Sequence, residues 1–230
     1  MQEYTGILGV LVLLGISYML SNNKSLINKN IIFWGLGLQF SFAVIILKTS
    51  FGKALFFYFN IFIVKVISFA DAGSDFLFTS FIPGVGYDQA LINFAFRALP
   101  VIIFFSSLIA VSYHLGIIQF VIKKIAFVME KTMKTSGAET LSISANIFVG
   151  QTEAPILIRP YISTMTKSEL MAVMVGGFAT VAGSVMALYV TWLSNIPNIA
   201  GHLLAASVMS APAALMVAKI IYPKQNHLEP

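Results

Sequence analysis

The fold of this chain depends on residues 146–155, which read NIFVGQTEAP and are flanked on both sides by apolar sequence. Unpaired polar side chains in hydrocarbon cost several kcal/mol, so they must face a cavity or a partner. Gly150 allows a tight backbone turn, and Pro155 removes a hydrogen-bond donor and disfavours helix at the residue before it. These features predict two half-helices that meet at a tip inside the membrane, a re-entrant hairpin over about residues 138–166.

The composition of the whole chain also indicates a membrane environment. The 230 residues are 58% hydrophobic and only 10% charged, with a mean hydropathy of +0.87. A soluble domain usually carries about a quarter charged residues, so soluble enzymes and disordered chains are both excluded. Since one bilayer crossing needs roughly 20 apolar residues, the sequence predicts an all-α polytopic membrane protein.

Apolar runs predict about five transmembrane helices. A basic helix is expected over 123–136, after the third span. One crossing, residues 169–193, is interrupted by Gly176-Gly177 and Gly183-Ser184 and is predicted to be a broken helix. The continuous spans are expected over about residues 4–20, 31–47, 98–122 and 200–221.

The aromatic-rich stretch 54–70 is interpreted differently because it contains Lys65. A lysine at bilayer depth is costly. We therefore expect an amphipathic helix that lies in the membrane interface. An acidic loop in water is expected to follow it, with Asp71, Asp75 and Asp88.

The distribution of basic residues predicts the orientation in the membrane. Of the 14 Lys and Arg residues, ten fall on one side under these assignments. Only Lys48, Lys53, Lys65 and Arg97 fall on the other side. The positive-inside rule then predicts a multi-pass protein of the cell inner (plasma) membrane, with the N-terminus outside and the C-terminus inside. The formal charge of +5 is dispersed between apolar segments, so it indicates contact with the lipid bilayer and not with nucleic acid.

The tip of the predicted hairpin carries side chains suited to a polar solute. Gln151 offers a donor and an acceptor, Thr152 a hydroxyl, and Glu153 two acceptor oxygens. This set fits a neutral solute with several hydrogen-bonding groups better than an anion. The alternative is that polar groups in this region satisfy one another between helices, and we favour that alternative for Ser142 and Ser144.

A second discontinuity follows at residues 176–185, which read GGFATVAGSV. Glycines at this spacing are compatible with a face where two helices pack closely. They are equally compatible with an unwound segment whose carbonyl oxygens bind an alkali cation between half-helix ends. The spacing alone leaves both interpretations open.

Enzymatic chemistry is disfavoured by the residue inventory. The sequence contains no cysteine, and His114, His202 and His227 are far apart along it. Glu153 has no neighbouring His, Cys or second acid for acid-base or nucleophilic work. The sequence therefore predicts a protein that is not an enzyme and has no organic cofactor.

Seven short motifs, in order over nearly the whole chain, resemble those of the concentrative nucleoside transporters. They are WGLGLQ (34–39), ALP (98–100), GAET (137–140), GQTEAP (150–155), MTKSEL (165–170), AGSV (182–185) and SAPAA (210–214). The resemblance implies an all-helical, trimeric carrier that moves nucleosides uphill on a sodium or proton gradient. It also implies that residues 1–136 form part of a scaffold and residues 137–230 the first half of a transport core.

The resemblance further implies roles for individual residues. The hairpin tip would supply groups to the nucleobase, and a sodium ion would lie between the tip and the broken helix. Asn146 favours sodium as the coupling ion, whereas Glu153 would be the carrier if protons were coupled. The implied substrate-binding residues are Gly150, Gln151, Thr152, Glu153 and Val185. The implied sodium ligands, through side chains or backbone carbonyls, are Asn146, Val149, Thr180 and Val181.

The sequence departs from the family pattern in length. Family members are much longer and contain a second hairpin and a second broken helix, related to the first pair by inverted symmetry. We therefore expect the chain to be a portion of a larger polypeptide, to be inactive alone, or to associate with a separately encoded C-terminal half. A truncated, non-transporting assembly or interaction partner is the alternative function, and preference between purines and pyrimidines stays open.

Overall fold

The computed structural model describes residues 2–78, 96 and 98–224, and the regular secondary structure within these ranges is helical. The all-α fold class predicted from the sequence is confirmed. Asp88, Arg97 and His227 lie outside the described residues. The helices are α1 (Gln2–Met19), α2 (Lys29–Lys48), α3 (Ser50–Phe78), α4 (Leu99–His114), α5 (Ile117–Met133), α6 (Gly137–Asn146), α7 (Ala154–Leu157), α8 (Lys167–Ala179), α9 (Gly183–Trp192) and α10 (Ile199–Ile221).

Several of these helices can cross a membrane. Helices α2, α3, α10 and the consecutive pair α8–α9 are each long and apolar enough to do so. Helices α4 and α5 meet the same criteria together, although they are bent by 75°. Apolar side chains such as Leu11, Phe40 and Phe62 point outwards from the helices. Because hydrocarbon, unlike water, tolerates such a surface, the chain is a membrane protein.

A sharp elbow separates α4 from α5. Leu115 and Gly116 connect the two helices, and Gly116 has a φ of +80°, a left-handed conformation that favours glycine. This break corrects the continuous span predicted over residues 98–122, because apolar composition alone does not show where a helix ends. Residues 117–133 instead form one amphipathic helix that joins the end of the predicted span to most of the predicted basic helix.

Helix α3 is longer than the amphipathic helix predicted over residues 54–70. Its buried side chains continue at helical spacing from Ile63 to Ser74. Asp71 and Asp75 therefore lie within the helix, which corrects the acidic loop predicted to begin at residue 71. The location of α3 in the membrane interface stays a prediction, since this helix of 29 residues is also long and apolar enough to cross the bilayer.

Helix α10 is the centre of the packing, with α2, α8 and α3 all packed against it. The contact with α2 is close because Gly35 has no side chain: a Cβ built there would lie 2.7 Å from Met216 Cβ. At the start of α10, Asn60 of α3 accepts a hydrogen bond from the backbone N–H of Ala200 at 3.1 Å. Helix α10 thereby provides a fixed support for the segments that carry the predicted site.

Candidate functional site

The predicted hairpin is a helix followed by a turn and a short returning arm. Helix α6 begins with a capping box, in which Ser136 N–H donates to Glu139 Oε1 at 2.9 Å. The helix ends at Asn146, and the returning arm consists of α7 and a 3₁₀ segment, Arg159–Thr164. Pro155 lies in the first turn of α7, where a missing backbone N–H has no cost.

The two ends of this hairpin lie at the same place in the molecule. Lys219 of α10 makes an ion pair with Glu139 at the start of α6, with 2.6 Å between Nζ and Oε2. The same Nζ donates to Ser168 Oγ at the start of α8, at 3.0 Å. Since one ammonium group reaches both positions, the chain from 139 to 168 leaves one end of the molecule and returns to it.

The second discontinuity is an actual break between two helices. Helix α8 ends at Ala179, Thr180 is extended with φ −122° and ψ 157°, and α9 begins at Gly183. The glycines also serve close packing, because a Cβ on Gly176 would lie 2.7 Å from Ile143 Cγ1 of the hairpin. Close packing and unwinding therefore both occur in this segment, while binding of a cation by its carbonyl oxygens stays a prediction.

The tip of the hairpin contacts this break directly. Gly183 N–H donates to the Phe148 carbonyl at 3.2 Å. A Cβ built on Gly183 would collide with that carbonyl oxygen and lie 2.8 Å from Ile109 Cδ1. A Cβ built on Gly150 would lie 3.6 Å from the Ala182 Cβ. The predicted tip and the predicted unwound segment are thus in direct contact.

The polar residues of the tip are exposed. Gln151, Thr152 and Glu153 are all accessible, and Glu153 Oε2 accepts a hydrogen bond from the Gly150 N–H at 3.2 Å. Val185, in the first turn of α9, is half-buried. The exposed amide, hydroxyl and carboxylate can therefore receive a solute without displacing a packed side chain.

Glu153 also borders a cleft that sequence reasoning missed. The cleft has a volume of about 430 Å³ and lies between the hairpin and the elbow of α4 and α5. Tyr113, His114 and Gln119 line it together with Glu153. The sequence gives little signal for this arrangement, because the three residues belong to segments whose bend was not predicted.

The four predicted sodium positions differ in what they can offer. Asn146 is only 3% exposed, and its Nδ2 lies 3.7 Å from the Cβ position on Gly177. The Thr180 hydroxyl donates to the Gly176 carbonyl at 3.1 Å. The side chains of Val149 and Val181 are hydrocarbon and pack into apolar clusters. These two residues can therefore contribute only carbonyl oxygens.

These oxygen donors fit a small cation. The amide oxygen of Asn146, the last residue of α6, and the carbonyls of the break after α8 are hard, neutral ligands. They lie at C-terminal ends of helices, where the helix dipole is negative. Groups of three or more His, Cys, Asp and Glu side chains were not found within residues 2–78 and 98–224.

The buried ion pair between Glu139 and Lys219 was also missed. Both residues are almost inaccessible, at 1% and 4% exposed. Two signals could have found it: the spacing of Ser136 and Glu139, which is that of a capping box, and a lysine inside an apolar helix. Ser144, in contrast, fits the favoured alternative, since its Oγ lies 3.7 Å from Met129 Sδ between two helices.

Two known protein families match most of the chain. Residues 8–81 match the family described as "Na+ dependent nucleoside transporter N-terminus", and residues 95–195 match the family described as "Nucleoside recognition". Sodium/nucleoside cotransporter 1 of Rattus norvegicus is 42% identical over 225 residues, 97% of this chain and 33% of the relative. Sodium/nucleoside cotransporter 2 of Rattus norvegicus is 40% identical over 223 residues, 97% of this chain and 32% of the relative. The chain thus spans about a third of the length of these curated relatives.

Solved structures have the same fold. CNTnw in an inward-facing substrate-bound state superposes with a TM-score of 0.87 and 39% identity, covering 100% of this chain and 56% of that protein. A variant of CNTnw in an outward-facing state gives a TM-score of 0.85 with 39% identity, covering 97% of this chain and 53% of that protein. From the matched families, the relatives and the shared fold, the chain belongs to the concentrative nucleoside transporters, of which it spans the N-terminal part.

Proposed function

We propose that this chain provides half of the binding site of a sodium-coupled nucleoside carrier. The observation that carries the proposal is the contact between the polar hairpin tip and the break that separates α8 from α9. This contact holds Gln151 and Glu153 beside the break in a discontinuous helix. The sodium/nucleoside cotransporters named above support both the substrate class and the coupling ion.

The tip residues have distinct roles in binding a nucleobase. The Gln151 amide donates and accepts, so it can pair with an adjacent donor and acceptor on the edge of a base. The Glu153 carboxylate accepts from base N–H groups, and its hydrogen bond from Gly150 fixes its direction. Thr152 adds a hydroxyl, and Val185 supplies apolar contact to the face of the ring.

Coupling follows from the position of the predicted sodium residues. Asn146, Thr180 and the carbonyls of Val149 and Val181 would hold the ion, which supplies positive charge between the tip and the break. These residues join the two segments that present Gln151 to the substrate. Each ligand would therefore raise the affinity for the other by the same factor.

The exposed tip also indicates what else the carrier requires. Gln151 and Glu153 face outwards, so a second hairpin and broken helix would cover them and hold the ribose. Those elements would come from a C-terminal part, on the same or a separate polypeptide, and the assembly would be a homotrimer. It would lie in the plasma membrane, with the N-terminus of this chain outside.

Uptake by a chimaera tests the proposal. Residues 1–230 would replace the matching part of rat sodium/nucleoside cotransporter 1, and uptake of radiolabelled uridine by proteoliposomes would be measured in sodium or choline. The parent chimaera should accumulate uridine only with sodium. Glu153→Gln should raise the apparent KM about tenfold or more, since hydrogen bonds to a charged group are worth about 1.5–3 kcal/mol.

Controls separate binding from folding. Gln151→Ala should have a similar effect on KM, whereas Glu130→Gln, at an exposed position of α5, should leave uptake unchanged. Unchanged uptake in both tip variants would contradict the proposed roles. Equal uptake in sodium and choline would contradict the coupling ion.

A further inference from the structure

A buried polar cluster joins three helices at the end opposite the tip. It consists of Glu139 on α6, Ser168 on α8 and Lys219 on α10, which are 1%, 2% and 4% exposed. Lys219 Nζ lies 2.6 Å from Glu139 Oε2 and donates to Ser168 Oγ at 3.0 Å. Ser168 Oγ donates in turn to the Tyr222 carbonyl at 2.7 Å. The cluster therefore links the bases of the hairpin and of the broken helix to a third helix.

We propose that Glu139, Ser168 and Lys219 are positioning residues that keep the hairpin tip aligned with the break between α8 and α9. This inference deepens the proposed function and rests on it, because the tip is the binding site only under that proposal. Helix α6 has ten residues, so at 1.5 Å per residue its two ends are about 15 Å apart.

The geometry explains how a distant cluster controls the tip. Helices α6 and α8 run from the cluster to the contact between residues 146–153 and 180–183, and they pack against each other along the way. Gly176 allows this packing to be close, since a Cβ there would lie 2.7 Å from Ile143 Cγ1. A shift of one helix along the other at the cluster is therefore transmitted to the tip.

The charges make this alignment sensitive to single substitutions. Removing one partner of a buried ion pair leaves the other charge uncompensated, whereas replacing both by apolar residues is often neutral. Loss of either charge should draw the remaining group towards water and displace its helix. Loss of both charges should leave the helices packed.

Disulfide formation at the tip provides a readout independent of transport. Gly150→Cys and Ala182→Cys place two thiols at the contact between the tip and the break, in a chain with no cysteine of its own. The rate of disulfide formation would be measured for the full chain in host membranes. Lys219→Met and Glu139→Gln should each slow it about tenfold or more. Glu139→Gln combined with Lys219→Met removes both charges, keeps an acceptor oxygen for the Ser136 N–H, and should restore the parent rate.

Further variants distinguish positioning from general stability. Lys219→Arg retains the charge and should keep the rate close to that of the parent. Val101→Ala, in the core between α3, α4 and α9, should lower thermal stability without changing the rate. Lys224→Met, at an exposed position near the same end, should change neither quantity.

Two results would overturn the inference. One is an unchanged rate in both single variants, and the other is a double variant that forms the bond no faster than the single ones. A single variant that fails to insert would leave the double variant as the deciding measurement. Failure of uridine uptake with normal disulfide rates would count against the proposed function and not against the positioning role.

Discussion

A disulfide bond is expected to form when Gly150 and Ala182 are both replaced by cysteine. A Cβ built on Gly150 lies 3.6 Å from Ala182 Cβ, within the range of about 3.5–4.5 Å found between the Cβ atoms of disulfide-bonded cysteines. The bond would close a loop of roughly 32 residues, for which the chain-entropy relation gives about 3 to 4 kcal/mol of stabilisation. The prediction follows only from the contact between the tip and the break.

The assay counts free thiols. Because the chain contains no cysteine, a maleimide-linked polymer adds two large masses to the reduced double variant on a denaturing gel and none to the oxidised one. A matched control pairs Gly37→Cys with Ala182→Cys. A Cβ on Gly37 has no heavy atom within 4 Å, so this pair should retain both thiols under the same oxidation.

The outcome separates two arrangements of the hairpin. Nearly complete loss of both polymer adducts in the variant at 150 and 182 would support the contact described above. Persistence of both adducts, at the same fraction as in the control pair, would refute it. Such a result would mean that the tip lies away from α9 and that the proposed site is not formed by these two segments.

Two further predictions concern stability, measured as the temperature at which detergent-extracted protein loses its monodisperse elution peak. Gly183→Ala should lower the free energy of unfolding by about 1–3 kcal/mol, because the added Cβ would collide with the Phe148 carbonyl oxygen. The control Gly37→Ala adds a Cβ in open space and should leave stability unchanged or raise it. An equal loss of stability in both variants would argue against the collision. Asn60→Ala should lower the free energy of unfolding by about 1–3 kcal/mol, because the backbone N–H of Ala200 loses its acceptor. Asn60→Asp keeps an acceptor oxygen and should lower stability less. A larger loss in Asn60→Asp than in Asn60→Ala would contradict the role of this hydrogen bond.

Local chemistry made much of the site predictable. Gly150, Pro155 and four polar side chains in an apolar setting predict a hairpin because continuous, lipid-facing helix would be costly there. The glycines of residues 176–185 predict the break near Thr180 only as one of two interpretations, the other being a face where two helices pack closely. The proximity of the break and the tip was expected only from the family resemblance, because the contact joins the Phe148 carbonyl to the Gly183 N–H and local sequence patterns do not encode contacts between distant backbone groups.

Other features depend on tertiary packing and were missed. The elbow at Gly116 lies inside an apolar run. Mean hydropathy does not reveal that a single residue there adopts a left-handed backbone conformation. Helix α3 continues through Asp71 because its buried face continues to Ser74, whereas the carboxylates alone favoured a loop. The pairing of Glu139 with Lys219 joins residues that are far apart in the sequence. In the sequence, Lys219 appears only as one of the basic residues that predict the orientation of the chain in the membrane.

The pairing of Glu139 with Lys219 has a consequence for biosynthesis. The counter-ion of this carboxylate lies roughly 80 residues downstream, which at ribosomal speeds of about 5–20 residues per second corresponds to about 4–16 s. During that interval the newly made hairpin holds a carboxylate that has no cationic mate and must stay hydrated or protonated. The buried ion pair that anchors the base of the hairpin can therefore form only after α10 has been synthesised, so the final packing of this segment is late relative to its own synthesis.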